Sequence, residues 1–447
     1  MSERRRRTGG VARFAVLALG CSSGLLPMAA LAGPETLEQA WARAIANDPI
    51  LAAVTADAAA ATADERAARA ARFPKLESGA TYTRYSDAPA LDVTTPEFVF
   101  RSPRFFDNDD SVMAFAQVTQ ALYAGGSISA GIDAARQAAR GATARQSTAL
   151  TDLKLEVARN YIAVLRAQRA LKAAAASAVS LRAQVNDAQV MVDAQAVAQS
   201  DLLAARVALA NAEQQRLRAD IAVRLAYVTY NRKVGAPAMD EPTLDADLGS
   251  TGNVGAALAS EPVETLVANA LAARNEIAGL QAQSDALAAQ ARAEWGRQLP
   301  QIALVGGYNY LENTILDRQD FSSIGVGLKW NLFDGGQARN RAAGLRRASQ
   351  AYSHRLDDLK SAIEYEVRAA WLGVQEAEAR VTASKEAVAE SEENLRLSRE
   401  LYGAGLATNT QVLEAIALRV AANNNASDAV LDAALARLTL QRAVGEL

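Results

Sequence analysis

Ile324, Val326, Leu328, Trp330 and Leu332 alternate with Gly325, Gly327, Lys329 and Asn331 in one unbroken run. A period of two predicts a β-strand with one apolar and one polar face. Ile302 to Tyr310 predicts a second strand, joined to the first through Leu311 to Asp320. Leu76 to Tyr85 and Val112 to Tyr123 form the matching pair earlier in the chain. Their connector is longer by about 16 residues and holds Pro89, Pro96 and Pro103, the rings of Phe98, Phe100, Phe105 and Phe106, and the acidic run Asp107 to Asp110. It reads as a surface loop whose aromatics pack on a rim.

Between the strand pairs the pattern changes to long stretches of strong helix formers. One begins after Gly125-Gly126 and continues to about Ala196; the other begins after Gly335-Gly336 and continues to about Tyr402. At 1.5 Å per residue each predicts a helix on the order of 100 Å long. Helices of that length need partners along their whole extent. Glu35 to Arg72 predicts one helix, bent at Pro49 and ended by Pro74, because the residue before a proline is pushed out of the helical region. Leu299-Pro300 ends its counterpart. The two shorter helices of each half sum nearly to the length of the long one, which predicts a cylinder of uniform height. Small residues at Ala173 to Ala176, Ala204-Ala205 and Ala421-Ala422 favour close helix approach.

The halves are copies. Leu122-Tyr123-Ala124-Gly125-Gly126 matches Leu332-Phe333-Asp334-Gly335-Gly336, Val197 to Ala205 matches Ala407 to Ala415, and Val234-Gly235 matches Val444-Gly445, all at an offset of about 210 residues. A shared offset over that distance marks an internal duplication. The division that follows is a signal segment 1–32, a first repeat 33–235, a polar linker 236–262 and a second repeat 263–447. In each repeat a turn separates the long helix from a short one. Gly403 to Thr408 is the turn of the second repeat, with glycine supplying the left-handed stop and Thr408 or Asn409 the next cap. Val197 to Ser200 is the turn of the first, with Ser200 as its cap.

A hairpin does not stand alone in water, and four strands do not close a barrel. Four strands per chain with an apolar face therefore predict that several chains share one barrel.

Composition narrows the function classes. Arg4 to Arg7, the apolar run Val11 to Leu19 and Ala30-Leu31-Ala32 form a secretory signal with cleavage near Gly33. Gly20-Cys21-Ser22 offers a rival, with Cys21 as a lipidation site. The whole chain has 47 basic and 50 acidic residues; without residues 1–32 these become 42 and 49, a net charge of −7. That balance argues against a nucleic-acid partner. No later segment is apolar over the 18–20 residues of a membrane-crossing helix, so any membrane contact falls to the strands. His354 is the only histidine, Cys21 the only cysteine, and no nucleophile elbow, phosphate loop or metal-ligand cluster is present. No cofactor is expected, and the chain reads as no enzyme. Asn423-Asn424-Asn425 reads only as a polar helix face.

Thr36-Leu37-Glu38-Gln39-Ala40-Trp41, Asn47-Asp48-Pro49, the two strand-ending glycine pairs, and Tyr402-Gly403-Ala404-Gly405 leading to Val412-Leu413-Glu414-Ala415 together resemble the TolC-type outer-membrane efflux proteins over essentially the whole mature length. The resemblance implies a mainly α fold with transmembrane β: a homotrimer in which each chain gives four strands to a shared 12-stranded barrel in the outer membrane of a Gram-negative bacterium. Its helices then form a long periplasmic α-helical barrel. A periplasmic adaptor (membrane fusion protein) and an inner-membrane transporter dock below, in tripartite efflux or type I secretion. The resemblance further implies acids at the periplasmic entrance: Glu414 fits the second acidic position, Gln411 replaces the first, and Asp201 is the repeat partner of Gln411. It makes the tips Ala198, Gln199, Gly403, Gly405 and Leu406 the adaptor contacts. Tyr82, Tyr123, Tyr310, Trp330 and Phe333 are candidates for a membrane-interface aromatic belt against outer-membrane lipid. The competing reading is a periplasmic coiled-coil adaptor or scaffold without a membrane barrel.

Overall fold

The computed structural model describes residues 33–88, 92–101, 104, 106, 109–246, 257–314 and 317–447. The signal segment with Cys21, and Pro89, Pro103, Phe105 and Asp107 of the first connector, lie outside them.

The expected opening helix is two. Helix α1, Leu37–Asn47, starts at a capping box in which Thr36 and Gln39 bond each other's backbone N–H. Asp48 ends it and starts α2, Pro49–Ala70: its backbone N–H donates to Ala44 O, and its Oδ1 accepts from Leu51 N at 2.8 Å. Pro49 therefore occupies the first helical position, where its missing N–H costs nothing. The chain breaks at Asp48 rather than bending inside a helix.

Strand β1, Lys75–Arg84, pairs with β4, Asp110–Tyr123. Between them the connector is not simply a loop, since β2, Asp92–Thr95, and β3, Phe98–Arg101, form a small hairpin. Phe106 is buried and stacks on Tyr85 with ring centroids 5.3 Å apart. Helix α3, Ser127–Asp193, is 67 residues long and α4, Gln199–Val234, is 36. The second repeat supplies α5, Val263–Ala273, α6, Asn275–Gly296, β5, Gln301–Leu311, and β6, Asp320–Lys329. It closes with α7, Gln337–Gly403, again 67 residues, and α8, Asn409–Val444, again 36. The long and short helices of the two repeats thus begin and end 210 positions apart.

The four long strands form one antiparallel sheet in the order β1-β4-β5-β6, so the repeats join through β4 and β5. The helices follow the same lateral order. Near the turns they run α4-α3-α8-α7, and nearer the sheet α2-α3-α6-α7. Every layer therefore has the same two free edges: β1, α2 and α4 on one side, β6 and α7 on the other.

The linker does more than separate repeats. Glu35 makes a parallel bridge with Leu244, and the buried Tyr161 hydroxyl sits 2.6 Å from Glu35 O and 2.9 Å from Asp245 O. Burial pushes the Tyr161 hydroxyl well above its ordinary range, so it stays a neutral donor. Asn231 Nδ2 donates to Ala238 O and to Asp240 O. These bonds tie the linker's first half and the start of the described chain to the middle of α3 and the C-terminal end of α4, in a core that includes Leu37, Ala44, Tyr230 and Leu438. In the second repeat α5 packs on α7 and α8 through Leu266, Val267, Ile363 and Val367. There Arg274, buried at the α5–α6 junction, binds Glu276 and Glu366, while Arg442 reaches Glu276, Glu366 and Asp152.

Candidate functional site

The tip of the helices is built from two turns of one design. Ala194, Gln195 and Ala196 donate to Val190, Val192 and Met191 carbonyls; Ala404, Gly405 and Leu406 donate to Glu400, Tyr402 and Leu401. The turn needs a left-handed residue in the middle, which is Gly405 at φ +74° in one tip and Gln195 at φ +57° in the other. Glycine adopts that conformation freely, whereas a glutamine side chain strains it.

The caps differ from expectation in the first repeat. Ala198 stands at the N-cap of α4 with no side-chain bond, and Ser200 lies inside the first turn. In the second, Thr408 caps α8 and Gln411 completes the box, its Oε1 accepting from Thr408 N at 2.8 Å. Gln411 at the expected acidic position is thus employed in capping. Gln199 begins α4 and Gly403 ends α7. Leu406 is 77% exposed at the extreme end.

Of the two expected acids, Asp201 is half-buried in the first turn of α4 and Glu414 is exposed on α8. No hydrogen bond or ion pair joins them among the described residues. What the structure brings together is a different set. Gln184 on α3 donates Nε2 to Asn409 Oδ1 at 2.9 Å, and Asn409 donates Nδ2 to Asp201 O at 2.9 Å. Both amide side chains are buried, and the bonds join α3, α8 and α4. Arg399 adds a bond to Ser180 Oγ at 2.7 Å. Tyr402 is buried below, its hydroxyl without a partner; burial, then the charges of Asp201 and Asp187, raise its pKa above the ordinary phenol value. Asn409 appears in the sequence only as a cap candidate, and Asp187 and Gln184 have no local signal, because their partners are far along the chain.

The sheet carries the other expected residues. Register places Leu76, Val118, Leu304 and Ile324 on one face, all but Leu304 strongly exposed, and Glu77, Thr81, Gln117 and Asn309 on the other. Tyr82, opposite Val112, and Tyr310, opposite Ala114, belong to the apolar face at the end far from the helices. Tyr123 is at the helix end of the sheet. Strict alternation puts it on the polar face, but a register shift between Ala121 and Tyr123 sets it opposite Ile302 on the apolar one. Trp330 directly follows β6 and donates Nε1 to Gln298 O at 3.1 Å. The alternation predicted a strand through Leu332, so Trp330 falls outside the observed β6, as does Phe333, which is 86% exposed. The two aromatic levels are about 30–35 Å apart along β4 at 3.3 Å per residue, or about 25 Å across a strand tilted as in outer-membrane barrels.

The glycine pair Gly125-Gly126 turns the sheet into α3. A Cβ on Gly125 would overlap the Gly296 carbonyl, so the end of α6 packs backbone against backbone there. His354 is exposed. No three of His, Cys, Asp or Glu gather as a metal site among the described residues. No described helix is long and apolar enough to cross a membrane.

A family model described as "Outer membrane efflux protein" matches residues 41–235 and 266–446. The chain is 25% identical over 442 residues to "Outer membrane protein TolC" of Vibrio cholerae, covering 97% of this chain and 95% of that one. Among solved structures it superposes on the outer membrane protein VceC of Vibrio cholerae with a TM-score of 0.77 and 18% identity, over 92% of this chain and 96% of the other. A membrane protein of Pseudomonas aeruginosa gives a TM-score of 0.75 at 19% identity, over 92% and 93% of the two chains.

Proposed function

This chain belongs to the outer membrane efflux protein family and is an outer-membrane efflux channel of a Gram-negative bacterium; from that premise we propose that it works as a homotrimeric exit duct for a tripartite efflux pump or type I secretion system. Membership of a family of transport ducts also sets aside the adaptor-without-barrel reading. The observation that carries the shared barrel is the match between the free edges; the count of three is taken from the likeness to TolC-type channels. Strands β1 and β6 have ten residues each and run in opposite directions, so the β6 edge of one copy pairs antiparallel with the β1 edge of the next. Unpaired edges of that kind invite such pairing. The helical edges repeat the argument: α4 exposes Leu203, Val207, Ile221 and Leu225, and α7 exposes Leu372, Leu397 and Leu401. Three copies then give twelve strands, enough to close a barrel round a channel.

In this assembly the apolar sheet face meets outer-membrane lipid, and Tyr82 and Tyr310 mark one interface while Tyr123, Trp330 and Phe333 mark the other. The helices form the periplasmic tunnel. Ala198, Gln199, Gly403, Gly405 and Leu406 are the surface for a periplasmic adaptor, with an inner-membrane transporter beyond it. Asp201 and Glu414, three of each round the entrance, favour cations as rings of like charge do. Substrate passes without covalent change.

The test is native mass spectrometry of the detergent-solubilised protein followed by single-channel conductance in planar bilayers. A trimer with cation-selective conductance, and loss of that selectivity in Asp201→Ala plus Glu414→Ala, is the expected result. Selectivity unchanged in the double variant removes the two acids from the entrance and leaves the duct. Absence of a trimer refutes the assembly.

A further inference from the structure

The sheet face turned away from lipid lines the barrel, and one row of it breaks the polar pattern. Register aligns Gly79, Phe115, Asn309 and Phe321 across the four strands, and directly paired residues share a face. That face is the one that carries Glu77, Thr81 and Gln117, so both phenylalanines point into the lumen. Phe115 is 43% exposed and Phe321 48%. Met113, paired with Thr81, adds a third exposed apolar side chain one row nearer the outer mouth. The next row toward the helices returns to Glu77, Gln117, Gly307 and Ser323. Barrel interiors that hold water are polar, so bare rings at this level answer to no need of the fold and read as a binding surface.

The Phe115 ring leans over β1. A Cβ on Gly79 would lie 2.7 Å from Phe115 Cε1, so the missing side chain is what makes room for the ring. Glu77 is the neighbouring residue of β1 on the same face, about 7 Å along the strand from Gly79. It is exposed and makes no ion pair among the described residues. The lumen-facing cations of the sheet are farther off: Lys75 stands about 13 Å from Gly79, and Lys329 ends β6 at the helix side. A carboxylate beside the face of an aromatic ring favours an organic cation. Phe321 lies two strands from Phe115, about 10 Å across the sheet, with the Asn309 amide between them. A flat, fused-ring ligand laid over Asn309 reaches both rings. We propose that Phe115, Phe321 and Glu77 form a site in the barrel lumen for planar aromatic cations passing through the duct, with the positive charge at Glu77 and the flat body against the two rings. The proposal rests on the channel reading and names a class of cargo for it. All three residues come from one chain, so the site does not depend on the number of copies.

Single-channel recording in planar bilayers with proflavine, a flat aromatic cation, is the test. Tetramethylammonium, a cation without a ring, and pyrenesulfonate, a ring system with a negative charge, are the comparisons. Proflavine should interrupt the current at concentrations where neither comparison does. Phe115→Leu plus Phe321→Leu should raise the concentration for half block about tenfold, since it keeps the apolar character and removes two ring contacts to a cation. Glu77→Gln should raise it severalfold, while Phe115→Tyr plus Phe321→Tyr keeps the block. The three side chains are exposed, so the variants should fold, and their conductance in salt alone checks that they do. Block unchanged in the leucine variant, equal block by pyrenesulfonate, or no block of a conducting channel overturns the proposal. A protein that conducts nothing fails the channel reading and takes the site with it, whereas a conducting channel without selective block fails the site alone.

Discussion

Gln195 and Gly405 lie 210 positions apart and hold the same left-handed turn, at φ +57° and +74°. Gln195 is the one described non-glycine residue with positive φ. The strain serves no hydrogen bond that glycine lacks, because the turn is closed by backbone groups alone. Gln195→Gly is therefore expected to raise stability by about 0.5–1 kcal/mol, and Gly405→Gln to lower it by about 1 kcal/mol. Thermal unfolding of the two variants checks both signs; a destabilised Gln195→Gly means that the glutamine side chain holds the tip in another way.

Asn409 ties two hairpins. Asn409→Leu is similar in size but leaves the buried Gln184 amide without its partner, at a cost of about 1–3 kcal/mol. The double change Gln184→Leu with Asn409→Leu should recover part of the loss, because the orphaned amide is gone. A double-mutant cycle by thermal unfolding measures the coupling. Additive losses would show that the two amides do not act as a unit.

The Arg274 junction carries a pH signature. Burial opposes ionisation of Glu276, but the hydrogen bond from Arg274 and its charge outweigh it and hold the carboxyl below the ordinary glutamate range. A carboxyl depressed by folding stabilises the native state above its unfolded pKa and loses that contribution as pH falls through the folded pKa. Stability should thus decline on acidification below the ordinary glutamate range, with a shallower decline in Glu276→Gln. Arg274→Met should cost about 2 kcal/mol, less than for a fully buried pair, because Arg442 still reaches both glutamates. Unfolding midpoints from pH 7 down to pH 3 test the sign.

Neighbouring residues on β6 separate lipid from lumen. Ile324 stands on the apolar face opposite Gly306, and Ser323 on the other opposite Gly307. Ile324→Lys should cost about 2–4 kcal/mol of membrane stability, the penalty for a lysine in mid-bilayer, whereas Ser323→Lys should be near neutral. Folding into lipid vesicles, read by resistance to urea, compares them. Equal penalties would assign the faces wrongly.

Much of this architecture is local and therefore legible. The alternation from Ile324 to Leu328 gives a strand, the unbroken helix formers after Gly126 and Gly336 give two long helices, and the shared 210-residue offset gives the duplication. Each signal is a backbone preference or a side-chain period, written within a few residues. The extent of β6 was over-read, because Trp330 and Leu332 continue the alternation after the neighbouring strand has ended and no ladder remains to pair with.

Other features depend on contacts distant in sequence, and these only the tertiary structure decided. The bulge before Tyr123 turns its ring to the apolar face because β5 fixes the register, and nothing around Leu122 announces it. Gln184 finds Asn409 across 225 positions, a distance no local period encodes. Gln195 adopts a conformation its own side chain disfavours because the packed ends of α3 and α4 leave no other path for the turn. Periodicity sets which residues form an element and which face they share, through interactions within the element. Which partner each face meets is set by burying apolar surface and satisfying polar groups over the whole assembled chain, and that is settled only once the helices lie side by side.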